Sequence, residues 1–309
     1  MKQDGSLGTL QDKVVVVTGA GRAIGRDFAL EMARQGARVV VNDLGTSVAG
    51  EPDGSQPAMA VVAEIKGFGG EAVASTASVA TWETAQEIVA AALDTWGRID
   101  AVVNNAGILR DRFFFNMDPA EWRAVIDVHL NGSFYVSRAA APHFKAQNGG
   151  SYVHIVSTSG LIGNLGQANY AAAKLGIAAM SKCIAMDMQH FSVRSNCISP
   201  FAWSRMIGAI PTETDEQKAR VERLKTMESA KIAPLAAYLV GDRAKDVSGQ
   251  IFAVRANEIF LMGQSRPLRS VHASDGWTVE TIADRAIPAL KSHFYPLDRS
   301  QDVFTWDPV

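Results

Sequence analysis

Thr18-Gly19-Ala20-Gly21-Arg22-Ala23-Ile24-Gly25 follows the apolar run Val14-Val15-Val16-Val17 and opens a helical stretch from about Arg26 to Arg34. A short β-branched run that stops at a glycine turn reads as a buried strand. Gly19 permits the tight turn and a close approach of backbone to a ligand, and the helix N-terminus directs free N–H groups at an anion. Gly25 lets helix and strand pack closely. A glycine motif alone is weak evidence, but here the strand–turn–helix setting is correct and the next strand, Arg38 to Val41, ends at Asn42-Asp43. An acidic side chain at that place accepts the hydroxyls of an adenine ribose. The turn therefore reads as a dinucleotide site, with Gly19, Gly21, Arg22, Ile24, Gly25 and Asp43 assigned to the cofactor. Asp43 repels a 2′-phosphate, which favours NAD over NADP. Arg22 has two readings, a partner for that phosphate or a solvent-exposed turn residue, and the second carries more weight.

The same alternation continues outward. Helical patterns run over Ala58 to Lys66, Thr84 to Trp96, Pro119 to about Ala146 and Ala168 to about His190. Apolar strands fall at Ala72 to Ala74, Ala101 to Val103, Tyr152 to Val156, Val193 to Ser199 and Ile251 to Val254. Short, uniformly apolar strands that alternate with helices specify an α/β fold, a doubly wound parallel sheet covered on both faces. The expectation is one Rossmann-like domain of about seven strands over residues 1–262. A C-terminal extension, residues 263–309, is expected to pack on its own or a neighbouring subunit. Trp277, Phe294, Tyr295, Phe304 and Trp306 make it too aromatic for a free end.

The chain has 309 residues, 47% hydrophobic and 20% charged, which excludes a largely disordered protein. A formal net charge of −2 argues against bulk binding to nucleic acid or an anionic membrane. Cys183 and Cys197 cannot build a disulfide framework, no apolar run approaches a membrane span, and the polar N-terminus lacks a secretory pattern. The expected location is cytoplasmic.

Tyr170-Ala171-Ala172-Ala173-Lys174 places two side chains one helical turn apart on one face. Free tyrosine titrates near pH ~10, too high for proton exchange at neutrality. An adjacent ammonium, together with a positive nicotinamide, is expected to lower that value, so that Tyr170 can exchange a proton with an alcohol or carbonyl. Taken alone, the pair also reads as a helix-surface contact. Ser157, just after the fifth strand, adds a hydroxyl able to orient the same oxygen.

With these residues assembled, the chain resembles the short-chain dehydrogenase/reductase family over roughly residues 10–260. The likeness rests on Thr18-Gly19-x3-Ala23-Ile24-Gly25, Asn104-Asn105-Ala106-Gly107, Ser157, Tyr170-x3-Lys174 and Asn196-x-Ile198-x-Pro200. It implies that Tyr170 is the general acid/base, that Lys174 binds the nicotinamide ribose and tunes Tyr170, and that Ser157 holds the substrate oxygen. It also implies cofactor contacts from Asn105, Ala106, Gly107 and Pro200, a homotetramer or homodimer, and a substrate lid near residues 201–227.

A narrower likeness is to the dehydrogenase unit of the peroxisomal multifunctional enzymes of type 2, also called 17β-hydroxysteroid dehydrogenase type 4. It rests on Val41-Asn42-Asp43-Leu44-Gly45, Asn105 to Arg112, Val128-His129-Leu130-x-Gly132-Ser133-Phe134, Gly163-Asn164-x-Gly166-Gln167-Ala168-Asn169-Tyr170 and Ser204-Arg205-Met206. This likeness implies NAD-dependent oxidation of a (3R)-hydroxyacyl-CoA by a free-standing relative without the hydratase and sterol-carrier units. The extension after residue 263 does not match those enzymes well.

Three positions depart from the broader pattern. Ala23 replaces the middle glycine, and a negative φ is expected there. His129 replaces the fourth catalytic residue, an asparagine, and either supports the proton relay or is a core histidine. Ala77 stands where an aspartate contacts adenine, which leaves a backbone group of Ser78, beside Val79, to do so.

Phe201, Trp203, Met206, Ile207 and Ile210 either wall an apolar substrate pocket, suited to an acyl chain or steroid, or pack beneath a loop. Lys218, Arg220, Arg223 and Lys225 read as a solvated helix face rather than a coenzyme A phosphate site. Phe113-Phe114-Phe115 reads as interface or core. Metal chemistry is disfavoured, since none of the six histidines shows ligand spacing, and Ser157 lacks a hydrolase elbow. A 17β-hydroxysteroid or other secondary alcohol is the alternative substrate. A non-catalytic NAD(H)-sensing protein is the alternative of another class, against which intact Ser157, Tyr170 and Lys174 weigh.

Overall fold

Val15 and Val17 join one hydrophobic cluster while Val14 and Val16 join another, on the opposite side of the same strand. This period-2 division repeats at Val39 and Val41 against Val40, and at Ala101 and Val103 against Val102. In the computed structural model, which describes residues 8–51, 54–202, 214, 224 and 226–309, the strands form one eight-stranded sheet. They are β1 (Val14–Thr18), β2 (Arg38–Asn42), β3 (Glu71–Ser75), β4 (Ala101–Asn104), β5 (Gly150–Ile155), β6 (Val193–Phe201), β7 (Ile251–Arg255) and β8 (Glu258–Leu261). Their order is β3-β2-β1-β4-β5-β6-β7-β8, parallel throughout except that β8 runs antiparallel to β7.

Helices α1 (Ala23–Arg34) and α2 (Pro57–Gly67) cover one face through residues such as Phe28, Met32 and Ile65. Helices α3 (Trp82–Trp96), α4 (Pro119–Ile126), α5 (Gly132–Gln147), the short α6 (Thr158–Leu161) and α7 (Ala168–Met188) follow along the chain, and α3 and α5 cover the other face through Ile88, Val136 and Phe144. Helix α8 (Ala233–Val240) returns to the first face. The chain winds outward from β1 in one direction and from β4 in the other, so a crevice opens between the carboxyl ends of β1 and β4. Open α/β sheets bind ligands at such a switch point.

Three expectations need correction. The eighth strand was not foreseen, because it is a half-exposed edge reached through a hairpin whose left-handed residue is Ala256 (φ 51°), not a glycine. The single helix expected from Pro119 to Ala146 is two helices joined by a π-helical turn at Asp127–Asn131. Ala23 adopts φ 44° rather than a negative value, so an alanine occupies a conformation that glycine takes at no steric cost. The turn requires it: α1 starts there, directly beneath the crevice.

Among the described residues, no helix is long and apolar enough to cross a membrane. Phe113 to Phe115 lie outside the core and are largely exposed, with the rings of Phe113 and Phe115 stacked 5.8 Å apart. The extension divides. Phe304 and Trp306 pack in an aromatic cluster on their own chain, whereas Phe294, Tyr295 and Leu297 are exposed on the single chain.

Candidate active site

The crevice is a cleft of about 530 Å³ whose wall includes Gly19, Arg22, Asp43, Ser78, Val79 and Asn105. Ala106 and Gly107 line it as well. The Thr18 hydroxyl at the end of β1 accepts the N–H groups of Asn105 and Ala106, both at 3.1 Å, and ties the two central strands together. Asn105 Nδ2 donates to Gly19 O at 3.0 Å. Gly25 lies below the turn, where a Cβ would stand 2.0 Å from Gly19 O, so no side chain is possible. Gly21 donates its N–H to Asp43 Oδ2 at 2.9 Å, and Gly45 donates to Asp43 Oδ1 at 2.9 Å. Asp43 is thus held at the cleft edge with lone pairs left for further donors. Ile24 packs against the core, and Pro200 is the penultimate residue of β6, opposite Val254; neither lines this cleft.

Arg22 turns toward the loop after β2. It donates to Thr46 O at 3.1 Å and is hydrogen-bonded to Ser55 Oγ. That loop folds over the cleft, where Leu109 N donates to Val48 O at 3.0 Å and Arg110 pairs with Glu51 at 2.5 Å. A glycine- and serine-rich loop in the sequence is therefore a roof, recognisable only from contacts made with residues far along the chain. A turn closed to a Cβ at Gly19 and Gly25, an acidic edge and a cleft at the switch point together fit a dinucleotide.

Ser157 caps α6, its Oγ accepting Ser159 N at 3.1 Å, and its side chain acts on that of Tyr170. Lys174 lies one turn along α7 from Tyr170, with Nζ 5.5 Å from the Tyr170 ring centroid. It is almost fully buried and donates to Ile155 O at 2.6 Å. His129, in the π-helical turn, meets the Tyr170 ring edge-on at 5.2 Å. Its Nε2 faces both Ile108 N at 3.0 Å and Ile108 O at 2.8 Å, while Nδ1 is buried without a partner among the described residues. The structure thus brings Ser157, Tyr170, Lys174 and His129 into one niche. Phe201 ends β6; Trp203, Met206, Ile207, Ile210, Lys218, Arg220, Arg223 and Lys225 lie outside the described residues.

Burial dominates the electrostatics. It lowers Lys174 from 10.5 to about 7, because a desolvated ammonium is disfavoured. It raises Tyr170 above 10.0, while the neighbouring Ser157 hydroxyl pulls the other way and the nearby charge of Asp111 adds to the rise. Without a nicotinamide the tyrosine is therefore not lowered, since desolvation outweighs the effect of Ser157. Burial also drives His129 to about 3, with the charge of Lys174 a lesser cause, so His129 is neutral.

Sequence reasoning passed over the residues that aim Tyr170. Asn169 is fully buried, accepts Tyr170 N at 2.7 Å through Oδ1 and donates to Arg110 O at 2.9 Å. Gln167 accepts from Ser159 Oγ at 2.8 Å and donates to Asp111 at 2.8 Å, linking the Ser157 loop to the segment after β4. Both lie in the run Gly163 to Tyr170 that carries the narrower likeness, but neither amide was given a role there.

Comparison with known proteins places these features in context. A family model described as short chain dehydrogenase matches residues 13–214. The chain is 45% identical over 259 residues to the peroxisomal multifunctional enzyme type 2 of Mus musculus, covering 84% of this chain but only 34% of that protein. A hydroxyacyl-CoA dehydrogenase of Mycobacterium tuberculosis is 38% identical over 265 residues, 82% of this chain and 80% of that one. Among solved structures, a short chain dehydrogenase from Mycobacterium avium superposes with a TM-score of 0.81 at 35% identity, covering 94% of this chain and 98% of that one.

Proposed function

The chain belongs to the short-chain dehydrogenase family and is an oxidoreductase, and from that premise we propose that it oxidises (3R)-hydroxyacyl-CoA to 3-oxoacyl-CoA with NAD. The observation that carries the reading is the joining of Ser157, Tyr170 and Lys174 in one niche beside the acidic-edged cleft. NAD, when bound, supplies the hydride acceptor. The Ser157 hydroxyl hydrogen-bonds the carbinol oxygen and holds it against Tyr170 Oη, which takes the hydroxyl proton as the carbonyl forms. Protonated Lys174, fixed by Ile155 O, is the chain's own charge favouring the phenolate. His129 and Asn169 keep the tyrosine aimed rather than exchange protons.

Asp43 at the cleft edge supports NAD over NADP, as does Arg22, which is engaged with Thr46 and Ser55. The thioester substrate is supported by the likeness to hydroxyacyl-CoA dehydrogenases at this level of identity. Exposed Trp122, Phe134 and Leu175 on α4, α5 and α7 support self-association through those helices.

The test follows NADH formation with (3R)- and (3S)-hydroxyacyl-CoA, a 17β-hydroxysteroid, and NADP in place of NAD. Activity is expected with the R thioester and NAD. Tyr170→Phe is expected to lose at least about 100-fold in kcat while still binding NADH. Activity confined to the steroid would keep the proton chemistry and reject the thioester; NADH binding without turnover of any alcohol would reject catalysis.

A further inference from the structure

The end of the C-terminal extension reaches the substrate side of the niche. Ser300 N donates to Gly163 O at 3.0 Å, and Ser300 Oγ donates to Thr158 Oγ1 at 2.6 Å, on the residue directly after Ser157. From there the chain runs across the end of the sheet. Phe304 packs against Phe201 at 4.8 Å and Phe260 at 5.3 Å between ring centroids. Trp306 is clamped at three points. Its carbonyl accepts from Arg255, its Nε1 donates to Glu258 Oε1 at 2.8 Å, and the Arg255 guanidinium lies 5.4 Å from its ring. Val309 O accepts Asn257 N at 2.9 Å, which pins the last residue to the β7–β8 hairpin.

Between this strap and the loop after α6 lies a cavity of about 630 Å³, with Phe201, Leu224, Met227, Phe304 and Trp306 forming its apolar part and Arg255, Ser300, Gln301 and Asp307 its polar part. It is separate from the cofactor cleft, and the two share no residue. Its position is decisive. Ser157, Tyr170 and Lys174 do not line it, but Asn164, also in its wall, follows Gly163, and Ser300 is hydrogen-bonded to Gly163 O and to Thr158, the residue after Ser157, so the cavity adjoins the loop that carries Ser157. Its size lies within the range that encloses a ligand of many heavy atoms and exceeds what a very short acyl chain fills.

We propose that residues 300–306 form the outer wall of the substrate site, and that Phe304, set against Phe201, determines the size of the apolar group the substrate carries beyond its carbinol. The group is a long acyl chain or a fused-ring body. This rests on the dehydrogenase reading above and adds a specificity-determining residue to it.

The experiment compares wild-type protein, Phe304→Ala and Phe304→Leu, each checked for unchanged NADH affinity, on (3R)-hydroxybutyryl-CoA and (3R)-hydroxydodecanoyl-CoA. Phe304→Ala should raise KM for the long thioester by about tenfold or more, because a lost aromatic wall removes uniform binding, with kcat nearly unchanged. The short thioester should be unaffected, and Phe304→Leu should restore most of the long-chain KM. Equal effects on both chain lengths, or none on either, would overturn the proposal. If wild-type protein turns over no thioester, the substrate reading fails first. The wall is then read by fluorescence quenching of Trp306 on adding long-chain 3-ketones or steroid ketones, with Trp306→Phe as the blank. Quenching absent from the blank sustains it, and its absence overturns it.

Discussion

Ala23 occupies a left-handed conformation at φ 44° in a turn where glycine would sit without strain. The left-handed region costs an alanine roughly 1–2 kcal/mol, while a glycine costs more entropy on folding, so the net gain from replacement is smaller. Ala23→Gly should therefore stabilise the protein by up to about 1 kcal/mol, seen as a higher denaturation midpoint at unchanged m-value. A lower midpoint would mean that the methyl makes contacts worth more than the strain. The reading of Asp43 shows the opposite balance of foresight. Its place at the end of the second strand marked it from the chain order alone, whereas its two backbone donors, Gly21 and Gly45, emerge only in the folded turn. The role of Asn169 was invisible for a related reason, because an amide in the first turn of a helix is commonplace until the segment it bonds to is known.

The elements carry a buried polar row that no periodicity announces. Asn104 on β4, His154 on β5 and Cys197 on β6 are lateral neighbours. Asn104 Nδ2 reaches His154 Nδ1 at 3.2 Å and Ser137 Oγ on α5 at 2.9 Å, and His154 Nε2 is buried without a partner among the described residues. Burial, with the charge of Lys174 as a lesser cause, drives His154 from 6.5 to about 3. Its folded value lies below its unfolded one, so between about pH 6.5 and 3 the unfolded chain takes up a proton that the fold refuses, and stability falls as pH falls. His154→Gln keeps an acceptor for Asn104 and cannot titrate there. Its denaturation midpoint should decline less steeply through this window than that of wild type; equal slopes would show that His154 does not contribute. The π-helical turn belongs to this scale too. It inserts its extra residue where His129 must lie beneath Tyr170, and Gly107 must lack a side chain because a Cβ would stand 2.2 Å from the His129 ring.

At the scale of the whole molecule, Lys174 is a charge carried into the core, and its titration reports on the complete fold. Its folded value of about 7 lies below the unfolded 10.5, so the unfolded chain binds more protons between them and stability should rise with pH from about 7. Above about pH 9 the buried Cys197 thiol, raised to about 12, opposes that trend, since there the fold holds a proton that the unfolded chain releases. Without cofactor, the wild-type midpoint should therefore increase between pH 7 and pH 9, and Lys174→Met should abolish the increase. A flat wild-type profile would mean that Lys174 stays charged in the fold.

The sequence by itself determined the alternation of strands and helices, the dinucleotide turn with Asp43, and the spacing of Tyr170 and Lys174. Each is written in a few consecutive residues whose periodicity or backbone freedom has few physical solutions. Only the tertiary structure decided the roof over the cofactor cleft, the strap at Ser300 to Trp306, the eighth strand and the upward shift of Tyr170. These arise from contacts between residues far apart in the chain, and from burial, which belongs to no residue until its neighbours have closed around it.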